Sequence, residues 1–394
     1  MNLANEITSR INDKDETNTV VGTEIKSQRL RKNMTLKETA SNVCSVSYLC
    51  KIERSDINPN PEVVHKICDR IQISDVELKV LYNLNDIFET MEKSIYYDDL
   101  DEIKNIFNKV SSLENYKANI IKLNYYVYFD MLDEAISINN KLNLLTASMN
   151  SRDLIAYAIA SAILNKKCNE NKDACRILKS AINSAYITEY EKGIAYTALC
   201  DIYYIANSKR FLPTALKTLS IHTKLMNHDK YDYIMFLEFK YFLMNEMYDE
   251  LELLKDKFNN SRYHHTIRFL EDAYKYKTKK PESYKGLSKF YYYIALFFQD
   301  NKRFYLIEKD YISLNDYEAL YIKYLEVLSR NSDDSYPVLM NELFPTALKI
   351  NATYLVERIA KLLVKRLCKD ARYKQAYEVL NKTFNQTKEF DTLW

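Results

Sequence analysis

The amino-acid sequence predicts an all-α chain, with a cluster of short helices at the N-terminus and then a long array of helix pairs. Three observations carry that expectation. Glycine occurs three times in 394 residues and proline six times, whereas sheets joined by tight hairpins need many residues at positive φ. From about residue 77 onward apolar residues recur at helical spacing, broken only by short polar joints. One amphipathic segment also recurs along the chain, as stacked helix pairs do.

The length predicts two or more structural units, and 47 % hydrophobic residues fit a folded protein. A formal charge of +2 means that any anionic partner is met locally. The seven cysteines are scattered without a CxxC pair, as expected of small apolar residues in a reducing compartment. The start resembles no signal peptide, and no apolar run reaches the roughly 18 residues of a membrane span. The expectation is a cytoplasmic protein that does not engage a membrane. GxxxxGK[ST], GxSxG, HExxH and GxGxxG are all missing, and the histidines lack metal spacing, so neither an enzyme, a metal nor a cofactor is expected.

Residues 1–20 are polar and without sustained periodicity, and are expected to form a mobile N-terminal arm. Residues 21–76 carry dense helix signals. The basic stretch TEIKSQRLRKN places Ile25 and Leu30 on one side of a helix, and Asn33 suits a left-handed residue just past its end. Thr35 to Glu38 is a T-x-x-E capping box that starts a second helix at Leu36, running to about Val43. Cys44 and Ser45 leave two residues for a turn before VSYLCKIER, with Leu49 and Ile52 facing inward. Asn60 and Pro61 open a fourth helix through about Ile71, and a second capping box, Ser74 to Glu77, opens a fifth.

Five short helices with a tight connection between the second and third describe a helix-turn-helix domain, whose later helix enters the major groove. Residues 22–54 hold seven basic and three acidic side chains, a local charge of +4 suited to phosphates. The segment resembles the XRE/Cro-repressor type, with an IKxxRLRKxMTxKExA opening and an SYLCKIER third helix. That resemblance implies that Ser45, Val46, Ser47, Tyr48 and Lys51 face the groove, with Arg29 and Lys37 also on the DNA-binding side. Ser47 would bond a base edge, Val46 touch a thymine methyl and Lys51 reach guanine or phosphate; the alternative for Ser45 is a capping role alone. The family also implies a pair between Arg29 and Glu53 beneath the reading helix. Leu36 stands where the family usually has a glutamine on the DNA backbone. The turn is one residue shorter than in phage repressors, and with Cys44 it resembles PlcR-like regulators of low-GC Gram-positive bacteria.

In residues 77–394 the recurring segments are LDEIKNIFNKV (100–110), LDEAISINNKL (132–142), KDACRILKSAI (172–182), LPTALKTLSIH (212–222), YDELELLKDKF (248–258) and YKQAYEVLNKT (373–383). The first five start 32, 40, 40 and 36 residues apart, and the last follows after 125, room for about three more units. This spacing indicates an α-solenoid. The units resemble degenerate tetratricopeptide repeats: in AYTALCDIYYIANSKRFLPTALKTL, Leu199, Cys200 and Tyr203 stand for the repeat's Leu, Gly and Tyr, and Ala215 for its second-helix Ala. In such arrays the first helices line a groove, here through Asn124, Tyr128, Tyr157, Ser161, Asn165, Thr197, Asp201, Tyr204 and Lys240. An amide side chain can both donate to and accept from a peptide backbone; the alternative for the tyrosines is packing between repeats.

A DNA-reading head joined to such an array resembles the peptide-pheromone receptors of Gram-positive bacteria and their phages, which include PlcR-like regulators and arbitrium receptors. The resemblance implies a homodimer on a double-stranded DNA operator. A short signalling peptide in the repeat domain would change the placement of the two heads. The alternative is a DNA-tethered repeat scaffold that binds a partner protein.

Overall fold

The computed structural model describes residues 3–9, 20–54, 57, 59–146, 149–206, 208–245, 247–258, 261–264, 266–267, 270, 288–330, 335–350 and 352–392. The described residues form helices and connecting turns without a strand. They divide into two compact units, residues 1–168 with 173–195, and residues 169–172 with 196–394.

The first unit opens with a helix, α1 (Leu3–Ser9), where an arm was expected. Ala4, Glu6 and Ile7 are buried, and α1 packs on the helix Ser151–Lys167; the small apolar contacts of Ala4 and Ile7 hold it there. Residues 10–19 of the expected arm lie outside the described residues. Then come α2 (Val20–Arg31), α3 (Leu36–Ala40), α4 (Val46–Glu53), α5 (Pro61–Arg70) and α6 (Asp75–Tyr82). The local signals act as read. Asn33 is left-handed at φ 53, both capping boxes close, and Asn60 caps α5 with Pro61 in its first turn. Each such cap contributes about 1 kcal/mol. One boundary differs: α3 stops at Ala40, short of Val43, because the chain turns left-handed at Asn42, φ 57. The connection is therefore residues 41–45 and not a two-residue turn. The amides of Val43 and Cys44 donate to the Ala40 carbonyl, and Arg70 of α5 donates to the carbonyls of Glu38 and Ser41.

Helix pairs follow: α7 (Leu84–Tyr97) with α8 (Leu100–Val110), α9 (Tyr116–Tyr128) with α10 (Leu132–Asn143), and α11 (Ser151–Lys167) with α12 (Asn171–Ile182). They continue with α13 (Glu189–Ile205) and α14 (Phe211–Lys224), then α15 (His228–Met244) and α16 (Tyr248–Lys255). All five recurring segments up to residue 258 are second helices of pairs. The sixth opens the helix Tyr373–Thr392, paired with Thr353–Lys369. In five of these helices an apolar residue of the first turn or just after it is enclosed: Ile103, Ala135, Ala174 and Ala215 are all 0 % exposed and Ala376 is 4 %. Leu199, Cys200 and Tyr203 are likewise buried. Between the two halves of that series lie the helices Lys289–Gln299 and Asp316–Arg330 and the bent segment 336–349.

Glycine is dispensable here because other residues take the left-handed positions. Asp98, Asp130, Asn169 and Ala371 each join the two helices of a pair at φ between 57 and 64; short polar side chains tolerate that region best. First helices are capped by asparagine: Asn115, Asn150 and Asn227 accept from the amides of Ala118, Asp153 and Lys230.

Gly193 is required for a different reason. A β-carbon there would lie 2.3 Å from Cε2 of Tyr96, a fully buried ring of α7. In a free helix Gly→Ala stabilises by about 0.5–1 kcal/mol. At this site Gly193→Ala is expected to destabilise by about 1–3 kcal/mol, because the ring must shift in a packed interior. Urea unfolding checks the sign, and Tyr96→Leu in the same background should restore part of the loss.

Candidate DNA-reading surface and ligand pocket

The face of α4 is set by its two ends. Ser45 is the N-cap, its hydroxyl accepting from the Tyr48 amide at 3.1 Å. At the other end Glu53 is buried and accepts from Arg29, Nε to Oε1 at 2.6 Å and Nη2 to Oε2 at 2.8 Å. The remaining arm of that guanidinium donates to the Met34 carbonyl at 3.0 Å. The pair expected from the family resemblance is therefore present, and it corrects the placement of Arg29 on the DNA side. All three of its guanidinium nitrogens donate inside the domain. Leu49 and Ile52 are 0 % exposed and fix the back of α4.

What remains outward is Ser45, Val46, Ser47 and Lys51, all exposed, with Lys37 of α3 exposed as well. Lys37 and Lys51 make no ion pair among the described residues. Tyr48 is half-buried, and its hydroxyl accepts from the Asn60 amide at 3.3 Å, tying the start of α5 to α4. Two other cations of the basic stretch are engaged, Arg31 with Glu114 and Lys32 with the Gln72 amide oxygen at 2.8 Å. The surface is thus two hydroxyls, one valine and one lysine at α4, with a second lysine on α3, a chemistry that can bond base edges and phosphates.

The positions expected to line a peptide groove separate into two groups. Tyr157 and Ser161 are 1 % and 4 % exposed, which corrects their assignment to an open groove. Their helix, α11, is apolar or small on nearly every face (LIAYAIASAIL) and is enclosed on all sides. The Tyr157 hydroxyl donates to the Asn139 carbonyl at 3.3 Å. Asn124 is half-buried and donates to the Ile120 carbonyl at 3.0 Å, while Tyr128 donates to Asp98 at 3.0 Å. Burial and Asp98 push that phenol up to about 12. Asn165 is half-buried.

In the second unit Thr197 sits 3.0 Å from Nε2 of His222, a fully buried imidazole that burial lowers to about 4. Asp201 accepts from the Tyr233 hydroxyl at 2.6 Å. Tyr204 and Lys240 come together: the Lys240 ammonium lies 4.9 Å from the Tyr204 ring centroid and 5.0 Å from that of Phe236. Both line a small pocket, partly open to solvent, whose other walls include Phe290, Tyr291, Tyr317 and Tyr321. Those four were missed from sequence, although KFYYYIALFF at 289–298 is an aromatic run that could have flagged Phe290 and Tyr291.

Among the described residues no helix is long and apolar enough to cross a membrane. No curated protein matches the chain in sequence. Among solved structures, Bacillus thuringiensis PlcR in complex with the peptide PapR7 and DNA aligns at 15 % identity and a TM-score of 0.38, covering 65 % of this chain and 98 % of that one. The apo form of ComR from S. thermophilus aligns at 16 % identity and 0.36, covering 64 % and 97 %. Residues 25–78 match the Helix-turn-helix family, and the segment they span is α2 to α6 with the exposed face of α4. The chain carries an N-terminal helix-turn-helix domain of the XRE type, the mark of a DNA-binding regulator.

Proposed function

We propose that the chain is a sequence-specific transcriptional regulator, with no catalytic step of its own, whose operator binding is controlled by a short peptide held by its helix pairs. It acts in the cytoplasm as a homodimer. The observation that carries this reading is α4: its back is locked by Leu49, Ile52 and the Arg29–Glu53 pair, while Val46, Ser47 and Lys51 stand free on the outer face. Helix pairs with an aromatic cavity supply the ligand side of the reading.

Operator binding is tested on DNA recovered by in vitro selection. Lys51→Ala is expected to lower operator affinity by about 1–3 kcal/mol without changing thermal unfolding. Unchanged affinity would remove Lys51 from the reading surface. Short synthetic peptides are then titrated by calorimetry, and a binder should shift operator affinity. A dimeric, DNA-competent protein that binds no peptide would favour the scaffold for a partner protein.

The homodimer reading draws on the last helix. Tyr373, Tyr377, Leu380 and Phe384 are 66 %, 69 %, 50 % and 59 % exposed. They repeat at the 4-3-4 spacing of a coiled-coil seam. Tyr377→Glu with Leu380→Glu is expected to give a folded monomer by light scattering; a persisting dimer would move the interface elsewhere.

A further inference from the structure

Lys240 of α15 holds a positive charge in a setting that does not complete its bonding. Its ammonium faces three rings, Tyr204, Phe236 and Tyr291, at 4.9, 5.0 and 5.8 Å from their centroids. Among the described residues it has no hydrogen-bond or ion-pair partner. Ring faces attract a cation but offer no lone pair to its three N–H donors. Burial lowers the ammonium to about 8, an effect that the charges of Asp201 and Glu318 partly offset. A second donor lines the same cavity: the Tyr317 hydroxyl is buried and has no hydrogen-bond partner among the described residues. A buried donor without an acceptor is costly, and with the half-buried Lys240 ammonium on the same wall it defines what a ligand would supply.

The rest of the lining sets the remaining chemistry. Leu243, Ile294 and Phe298 are apolar, so the body of the ligand is apolar. One ammonium and one neutral hydroxyl balance a single negative charge, whereas a phosphate dianion would leave charge and acceptors unmatched. A cationic ligand is repelled by Lys240, and a neutral hydrocarbon leaves both donors orphaned.

We infer that this cavity receives an apolar group ending in a carboxylate, which accepts hydrogen bonds from Lys240 and Tyr317. That carboxylate can be the C-terminus of a bulky apolar residue of a peptide, in which case the inference deepens the peptide reading and rests on it. It can equally belong to a free apolar acid.

The full-length protein is titrated by calorimetry with two matched pairs. One is 4-phenylbutyrate and 4-phenylbutyramide; the other is N-acetyl-leucyl-phenylalanine and its C-terminal amide. At least one acid should bind about ten-fold or more tightly than its amide, the scale of a hydrogen bond to a charged group. That ratio should fall to near one in Lys240→Met and part-way in Tyr317→Phe, each checked for retained unfolding behaviour. Equal affinity of acids and amides, no saturable binding by either acid, or a ratio untouched in both variants would overturn the inference. A tighter acetyl dipeptide assigns the source to a peptide terminus, and a tighter phenylbutyrate assigns it to a free acid. A peptide that shifts operator affinity yet binds equally as acid and amide would overturn the carboxylate pocket alone. Carboxylate selectivity without any peptide effect on operator binding would overturn the regulatory reading alone.

Discussion

Arg152→Ala is expected to remove about 3–5 kcal/mol from the unfolding free energy of the first unit, the usual scale for stripping a buried charge of its counter-ion. Arg152 of α11 donates through Nη1 to Glu191 of α13 at 2.8 Å and through Nη2 to Glu92 of α7. Its guanidinium also lies over the Phe88 ring, 5.5 Å from the centroid. The side chains of Glu92 and Glu191 are only 8 % and 3 % exposed, so one cation serves two enclosed carboxylates on two other helices. Glu191 in addition accepts from the Thr188 amide at 2.9 Å, closing the N-terminus of α13.

The pH dependence of this cluster has a definite sign. Burial, and next the neighbouring charge of Glu191, hold the Glu92 carboxyl well above the usual carboxylate range; Arg152 pulls the other way. A carboxyl raised on folding binds its proton more tightly in the folded state. Its share of stability is therefore present below the unfolded value and falls as pH climbs through the folded value. Without Arg152 the fall should steepen. Urea unfolding at about pH 5 and about pH 8 should show a larger difference in the variant than in the wild type. Glu92→Gln added to Arg152→Ala should recover part of the loss at the higher pH. An equal pH response in variant and wild type would sink the three-residue coupling.

Comparing this cluster with the helix caps shows which features a linear reading can reach. Thr35 with Glu38, Asn60 with Pro61, and Ser74 with Glu77 are contained within four residues, and each acts as its local chemistry dictates. The second helices of the pairs were legible for a similar reason, since most enclose a small or apolar residue near their start. The end of α3 was not, because it is shaped by Arg70, which reaches back to the carbonyls of Glu38 and Ser41 from another helix. Tyr157 and Ser161 fail likewise. Spacing says that they share a face of α11, but not that every face of α11 is covered. The aromatic cavity draws on residues 204 to 321, across a stretch where the repeat pattern lapses, so only Tyr204 and Lys240 could be placed in advance.

Glu53→Ala should cost about 3 kcal/mol and loosen the reading helix itself. Arg29 and Glu53 side chains are 9 % and 5 % exposed, and among the described residues the guanidinium's two bonds to the carboxylate are its only charged ones. Removing the carboxylate leaves a buried cation with the Met34 carbonyl alone. Because Glu53 terminates the helix that carries Val46, Ser47 and Lys51, its loss should appear first as faster amide hydrogen exchange across residues 46–53. Operator affinity should fall with it, unlike Lys51→Ala, where affinity falls and the helix stays protected. Replacing both partners, Arg29→Met with Glu53→Leu, separates placement from contact. Well-packed apolar substitutes for a buried pair are often neutral or stabilising. If the pair only positions α4, the double variant should regain protection and most operator affinity. A folded double variant that still fails to bind would return Arg29 to the DNA-contacting set.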